Sequence, residues 1–197
     1  MKKYKEILVF CLIIMFSISI SVAATSIDYY LNGVTEYYND NYKKAVNIFD
    51  KVLQDSPENS LKVDTLYFQT LSYTELYEVT EAKNNIKKLE NLGYEFGMLY
   101  WELGKVYLNE EGQFDSAFYS EALKQFEKAS KLGITSADFH RDLAFCYQEL
   151  GQLSKAASEY KKAILYRGKA RDYINLASLS KEIGNMEEAI KYYEKAL

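Results

Sequence analysis

The amino-acid sequence predicts an all-α fold in which antiparallel helix pairs stack into a solenoid. The first observation behind this prediction is a repeat: Ala156 and Ala189, 33 positions apart, hold equivalent places in two copies of one pattern. The second is that each copy carries small and bulky residues on helical stripes, with Gly151 or Gly184 between the two stripes. A repeat of this length that contains two short helices is typical of a stacked helical array.

The composition is that of a folded domain. The sequence is 48% hydrophobic and 15% aromatic, and it has one proline and 9 glycines, so no Pro/Gly/Ser-rich linker divides it. We therefore expect a single continuous repeat domain over residues 25–197. The net charge of −4 comes from acidic and basic residues that are interspersed along the chain, which gives no basic stripe for nucleic acid. We expect no nucleic-acid partner.

Residues 1–24 have the pattern of a targeting segment. Lys2, Lys3 and Lys5 precede an uncharged apolar run, and the small residues before Thr25 suit cleavage by signal peptidase. The same run is long enough to be an uncleaved membrane anchor with its lysines inside. Both alternatives export the repeats from a bacterial-type cell, into the periplasm, to the exterior, or anchored on the outer face of the plasma membrane. Contact with a membrane is expected only through this segment, if it is uncleaved.

Few residues in the sequence could support catalysis, and we expect no catalytic, cofactor or metal site. The only histidine, His140, lies close to a core-type leucine and is expected to pack in the structure. Cys146 would be the one cysteine left after cleavage and is expected to be a small buried apolar residue. The pairs Glu110-Glu111 and Glu187-Glu188 have no neighbouring His or Cys, so solvated helix ends explain them better than metal binding.

The repeated pattern resembles the tetratricopeptide repeat, a helical hairpin of about 34 residues. The family's first-helix signature, an aromatic residue, then Leu-Gly, then Tyr, is matched by Tyr100, Leu103, Gly104 and Tyr107. Its second-helix signature is matched by Ala45, Phe49 and Pro57, with Val52 where the family has Ala. The resemblance implies a right-handed superhelix of about five helix pairs, with repeats at about 26–59, 60–96, 97–136, 137–169 and 170–197.

Two of these repeats depart from the family pattern. Repeat two has Thr70 where the family prefers Gly. Repeat three is longer, since Tyr107 and Ala122 are 15 positions apart whereas Tyr147 and Ala156 are 9 apart. The lengthened hairpin resembles the Sel1-like variant of the family. We expect the insert at 108–119 to be tolerated length, with a contact loop as the alternative.

The resemblance implies a non-catalytic scaffold that binds a protein or peptide, because the first helices of such repeats line a concave groove. Aromatic and arginine side chains dominate binding hot spots, so the groove is expected to be aromatic toward the amino end and charged toward the carboxyl end. The candidate groove residues are Tyr30, Tyr37, Tyr38, Tyr67, Phe68, Trp101, Lys105, Arg141, Phe145, Arg171, Asn175 and Lys181.

Two other functions stay open at this point. The sequence ends at Leu197 without the polar capping helix that repeat arrays usually need, so the last repeat could join copies into a homo-oligomer. The protein would then be a self-associating structural scaffold of an envelope complex. Alternatively, the surface rich in tyrosines, of which the chain has 19, could stack on glycan or cell-wall material.

Overall fold

The computed structural model describes residues 25–55, 57–109 and 116–197, and all regular secondary structure in these ranges is α-helical. Ten helices lie there, joined by short turns. Their bounds are α1 at 25–38, α2 at Tyr42–Gln54, α3 at Asn59–Glu75, α4 at Val79–Asn91, α5 at Gly97–Asn109, α6 at Ser116–Lys131, α7 at Ala137–Glu149, α8 at Leu153–Arg167, α9 at Ala170–Glu182 and α10 at Met186–Ala196.

The helices form five antiparallel pairs of successive helices, from α1 with α2 to α9 with α10. The all-α class and the repeated helix pairs predicted from the sequence are confirmed in the described residues. The chain divides into two compact units between Tyr94 and Glu95. Unit 1 holds α1 to α4, and unit 2 holds α5 to α10. Within the units, α2 also packs on α3, α6 on α7, and α8 on α9, so neighbouring pairs contact one another.

Left-handed backbone conformations close the turns between paired helices. Gly151 and Gly184 have φ of 70° and 89°, values that glycine adopts without steric cost, so their predicted place at the turns is confirmed. In unit 1 the corresponding turns use Asp40 and Tyr77, with φ of 60° and 59°. Tyr77 is 55% exposed, and its turn is closed by backbone hydrogen bonds: the N–H of Tyr77 donates to the carbonyl oxygen of Thr74 at 3.1 Å, and the N–H of Glu78 to that of Tyr73 at 2.9 Å.

Small residues let the paired helices approach closely. In unit 1, Gly33 of α1 faces the ring of Phe49 on α2, and in unit 2, Gly104 of α5 faces the ring of Phe126 on α6. A single hydrophobic cluster joins three helices of unit 2: Ala144 from α7, Ala156 and Tyr160 from α8, and Leu176 and Leu179 from α9. The packing role predicted for the alanines and tyrosines of these repeats is therefore confirmed.

Repeat two has an unusually polar interior. The hydroxyls of Thr65, Thr70 and Ser72 are buried in α3, and each donates to the carbonyl oxygen one turn earlier, at 2.6, 2.6 and 2.9 Å. Such bonds satisfy buried hydroxyls inside the helix itself. They explain how α3 tolerates Thr70 where the family prefers Gly, because the side chain is folded back on its own helix.

The predicted leader at residues 1–24 and the core of the predicted insert, residues 110–115, lie outside the described residues. Among the residues that the structure describes, no helix is long and apolar enough to cross a membrane.

Candidate functional site

Five of the candidate groove residues form one cluster of rings in unit 1, which we call the aromatic surface. Helix α1 supplies Tyr30, Tyr37 and Tyr38, and helix α3 supplies Tyr67 and Phe68. The Phe68 ring is central: its centroid lies 5.5–6.2 Å from those of Tyr67, Tyr37, Tyr38 and Tyr30, with interplanar angles from 67° to 87°. These are edge-to-face arrangements, which aromatic pairs favour.

The aromatic surface is rooted in the core yet open to solvent. Tyr38 is 71% exposed, whereas Tyr30, Tyr37, Tyr67 and Phe68 are half-buried. The Phe68 ring also stacks on the buried Phe49 ring, 6.5 Å away. Burial, and then the charge of nearby Asp64, raise the pKa of Tyr30. The rings are therefore held in place before any ligand arrives.

Polar residues at the end of α1 fix one edge of this surface. The Tyr42 ring lies 5.7 Å from that of Tyr37, and its hydroxyl donates to Asp40 at 2.8 Å, which raises the pKa of Tyr42. Glu36 accepts hydrogen bonds from Lys44 at 2.7 Å and from Asn41 at 2.9 Å, and these bonds lower the pKa of its carboxyl. The turn between α1 and α2 is thus tied to the edge of the rings.

In unit 2, Trp101 connects α5 to α7. Its indole Nε1 donates to Asp142 Oδ2 at 2.7 Å, and its ring meets that of Phe139 edge-on at 5.7 Å. The Lys105 ammonium lies 5.4 Å from the centre of the Trp101 ring and forms an ion pair with Glu102 at 2.5 Å. Trp101 is half-buried, so it makes a structural contact and still leaves part of its surface accessible.

Asp142 is a largely buried carboxylate at this connection. Burial raises the pKa of Asp142, and the hydrogen bond from Trp101 and the charge of Lys105 offset only part of that rise.

The same environment includes Cys146, which is fully buried with a free thiol. Burial raises the pKa of Cys146 to about 12, so the thiol is protonated and unreactive at neutral pH. The predicted packing role of Cys146 is in line with this burial.

Arg141 is occupied by ion pairs. Its Nε donates to Asp172 Oδ1 at 2.5 Å, and its guanidinium also contacts Asp138. Asp172 is completely buried, and its second oxygen accepts the backbone N–H of Lys169 at 2.8 Å. The ion pair with Asp172 joins α7 to α9. Because the Arg141 side chain is only 12% exposed, it presents little of its charge to solvent.

The other candidates of unit 2 are more accessible. Phe145 is 39% exposed and meets the Tyr119 ring edge-on at 5.8 Å. Arg171 and Lys181 are exposed on α9, and Asn175 between them is half-buried. The structure therefore gathers the five aromatic candidates of unit 1 into one cluster, whereas the seven of unit 2 are distributed over α5, α7 and α9.

His140 takes part in a packed polar network. Its Nδ1 lies 2.7 Å from Glu159 Oε2, its Nε2 lies 3.1 Å from Thr135 Oγ1, and its ring stacks on Tyr166 at 5.3 Å. Both ring nitrogens are occupied, which agrees with a structural histidine. In the described part of the chain no group of three or more His, Cys, Asp or Glu residues is placed to hold a metal ion.

A model of the tetratricopeptide repeat family matches residues 170–197, which contain α9 and α10. The match corresponds to the last of the five helix pairs. The Sel1-like form of repeat three stays a prediction, because it depends on the insert.

Solved structures share the tetratricopeptide fold. A crystal structure of MamA protein is 25% identical, covers 88% of this chain and 90% of that chain, and has a TM-score of 0.71. YrrB, described as a tetratricopeptide repeat protein with an unusual peptide-binding site, is 22% identical over 87% of this chain and 84% of that one, with a TM-score of 0.67. A thermophilic tetratricopeptide repeat protein from Thermus thermophilus, TTC0263, is 24% identical, covering 87% and 90%, with a TM-score of 0.54. No curated protein matches by sequence.

Unit 1 contains a second feature that sequence reasoning missed, which we call the polar cleft. It is an open space of about 320 Å³ between α2 and α4 with α3 as its floor. Its lining includes Asp50, Gln69, Tyr73, Glu81, Asn85 and Lys88. The sequence did contain one indication of this cleft. Gln69 and Asn85 fall among the buried apolar positions of α3 and α4, where amide side chains are uncommon.

Proposed function

We propose that this protein is an exported, non-catalytic scaffold whose tetratricopeptide repeats bind a protein or peptide segment through the first helices of the pairs. The observation that carries the proposal is the aromatic surface on α1 and α3. A partner's apolar side chains would lie against Tyr38, Tyr67 and Phe68. Export is proposed from the sequence of residues 1–24 alone.

The physical argument is that the aromatic surface offers much contact area at little entropic cost. Tyrosine and phenylalanine have two rotatable side-chain bonds, and here their rings already pack edge-to-face. Less side-chain freedom is therefore lost when a partner binds than on a surface of flexible residues. A half-buried cluster of aromatic residues is also the composition that binding hot spots favour.

Charged residues on unit 2 would give that unit a preference of its own among partner segments. Arg171 and Lys181 are exposed on the first helix of repeat five, and the Lys105 ammonium lies over the Trp101 ring. Basic side chains in these places would favour a partner segment that carries carboxylates. The peptide-binding site described for YrrB, which shares the fold, supports the capacity of such repeats to hold peptides.

The proposal is tested by selecting peptides from a random library against the full-length protein and measuring their affinity by fluorescence anisotropy. We expect Tyr38→Ala and Tyr67→Ala each to weaken binding by about tenfold or more, since each removes one aromatic contact. The matched control is Tyr29→Ala, which removes an exposed tyrosine of α1 that lies outside the ring cluster. Selected peptides that bind both variants as well as the unchanged protein would contradict the proposal.

A second candidate function, self-association through α10, is favoured by a specific observation. Helix α10 exposes a run of large apolar residues: Met186 is 57% exposed, Ile190 59% and Tyr193 40%. Exposed apolar groups that lie together on one helix are typical of interaction surfaces. A second copy of the chain could cover this face.

Sedimentation velocity at several protein concentrations tests self-association. If α10 joins two copies, the mass should rise with concentration, and Ile190→Glu should abolish the rise because a charge would be buried in the contact. Leu165→Glu is the matched control, since Leu165 is an exposed residue of α8 in the same unit. The mass of a single chain at every concentration would exclude this candidate.

A further inference from the structure

The polar cleft of unit 1 is separate from the aromatic surface. Successive residues of an α-helix are rotated by about 100°. Tyr67 and Gln69 of α3 are therefore about 200° apart, so one points to the aromatic surface and the other into the cleft. A ligand of the cleft and a ligand of the aromatic surface would contact different sides of the same helix.

Buried amides give the cleft a fixed floor. Gln69 and Asn85 are 1% and 2% exposed, which is rare for amide side chains unless they are fully hydrogen-bonded. Lys88 Nζ donates to Asn85 Oδ1 at 2.9 Å, Asn85 Nδ2 donates to Gln69 Oε1 at 2.8 Å, and Gln69 Nε2 donates to Asp50 Oδ1 at 2.7 Å. This chain of hydrogen bonds crosses from α4 through α3 to α2 and orients the Asp50 carboxylate.

The cleft carries an excess of negative charge. Asp50 and Glu81 contribute two carboxylates and Lys88 one ammonium, and neither carboxylate forms an ion pair among the described residues. Tyr73 lines the cleft together with both carboxylates, and burial, followed by the charges of Asp50, Glu78 and Glu81, raises the pKa of Tyr73. The Tyr73 ring is half-buried, so one part of it remains accessible from the cleft.

We propose that the polar cleft binds a guanidinium group, supplied by an arginine side chain of a partner protein or by a free arginine-like molecule. A guanidinium is planar and presents five N–H donors, so it suits a cleft that is lined by two carboxylates, Asp50 and Glu81. Its flat face can also stack on Tyr73. An ammonium group has no such face, and an anion would be repelled by the two carboxylates.

The fixed floor makes the site favourable for this ligand. Because Gln69 holds one oxygen of Asp50, the carboxylate keeps its second oxygen and its orientation for the ligand without further ordering. The volume of about 320 Å³ lies at the lower end of the range of ligand pockets, which suits a single side chain rather than a large molecule.

The test follows the side-chain amide NMR signals of Gln69 and Asn85 in the full-length protein during titration with Nα-acetyl-arginine amide. We expect saturable shifts of both signals. The same titration with Nα-acetyl-citrulline amide, which has a neutral urea in place of the guanidinium, should give no saturation. The lysine derivative should bind more weakly than the arginine derivative. Equal shifts with the arginine and citrulline derivatives would overturn the proposal, as would tighter binding of the lysine derivative.

Variants of the cleft complete the test. Asp50→Asn and Glu81→Gln should each weaken the affinity for the arginine derivative by about tenfold, the loss expected for one charge-assisted contact. Asp64→Asn is the matched control, because it removes one negative charge from the other side of α3 and should change the affinity by less than about twofold. Glu81→Gln alters an exposed residue, so it keeps the test valid if Asp50→Asn does not fold. Unchanged affinity in Glu81→Gln would contradict the proposed site.

Two further ligands distinguish the source of the guanidinium. A capped pentapeptide with a central arginine and four alanines represents a partner protein, and free arginine represents a small molecule. Tighter binding of the peptide would assign the site to a protein partner, and tighter binding of free arginine would assign it to a metabolite. Binding of neither ligand would refute the proposal.

Discussion

Gly104 shows how a single residue sets the distance between two helices. A Cβ atom at this position would overlap the ring of Phe126, and one at Gly33 would come within 2.5 Å of the Phe49 ring. The same device therefore operates in unit 1 and unit 2. Both rings are completely buried, so they have little room to move away from an added methyl group.

We expect Gly104→Ala to lower the free energy of unfolding by about 1–3 kcal/mol, the cost of overpacking a buried contact. The measurement is urea denaturation followed by circular dichroism. In the double variant with Phe126→Leu, the loss should be smaller than the sum of the two single losses, because the smaller side chain makes room for the methyl group. Ser130→Ala, on the exposed side of α6, is the control. Additive losses in the double variant would contradict the proposed contact.

The sequence alone predicted some of these residue contacts. The packing of Ala144, Ala156 and Tyr160 could be foreseen, because small and bulky residues at fixed spacing have one way to fit between paired helices. The ion pair of Arg141 with Asp172 could not be foreseen from the sequence. The two residues belong to different repeats, so their contact depends on how one repeat packs on the next. Sequence reasoning assigned Arg141 to the ligand, whereas the structure uses most of its charge within the fold.

At the scale of elements, individual side chains also connect neighbouring first helices. Trp101 on α5 and Asp142 on α7 form such a contact through a hydrogen bond of 2.7 Å. The carboxylate is largely buried there, and its pKa is raised by that burial. A raised pKa means that the folded protein binds the proton more tightly than the unfolded chain does.

Asp142 therefore makes the stability of the protein depend on pH. Its contribution is greatest at low pH, where the carboxyl group is protonated, and it is lost as pH rises through the folded-state pKa. We expect Asp142→Asn to raise the melting temperature at about pH 7, since asparagine keeps an oxygen acceptor for Trp101 without a buried charge. The gain should shrink as pH falls toward about 4.

Thermal melts of both proteins at several pH values provide the measurement. Trp101→Phe is the companion variant: it removes the indole N–H donor, keeps an aromatic ring, and should lower the melting temperature. A lower melting temperature for Asp142→Asn at neutral pH would show that the carboxylate charge stabilises this contact, against our expectation.

Repeat two shows what periodicity could and could not indicate about an element. The helical spacing of its apolar residues predicted α3 and α4 despite the weak family pattern. It could not predict that Gln69 and Asn85 would be buried and hydrogen-bonded to each other, because spacing places a residue on a face but does not select its partner. The polar cleft depends on that pairing and was found only in the structure.

Across the whole molecule, the candidate binding residues differ in chemistry between the two units. Unit 1 presents the aromatic surface, and unit 2 presents Trp101 and Phe145 together with exposed basic residues on α9. The fold itself was largely predictable, because repetition of one hairpin along the chain limits the possible architectures. The identity of a partner was not, since the side chains that recognise it vary from repeat to repeat without affecting the packing.

The central claim is that the first helices of the repeats bind the partner. We would map a selected peptide on the full-length protein by NMR chemical-shift perturbation. We expect the largest shifts at Tyr37, Tyr38, Tyr67 and Phe68 on α1 and α3, with α10 unchanged. Shifts confined to the second helices, α2 and α4, would contradict the claim.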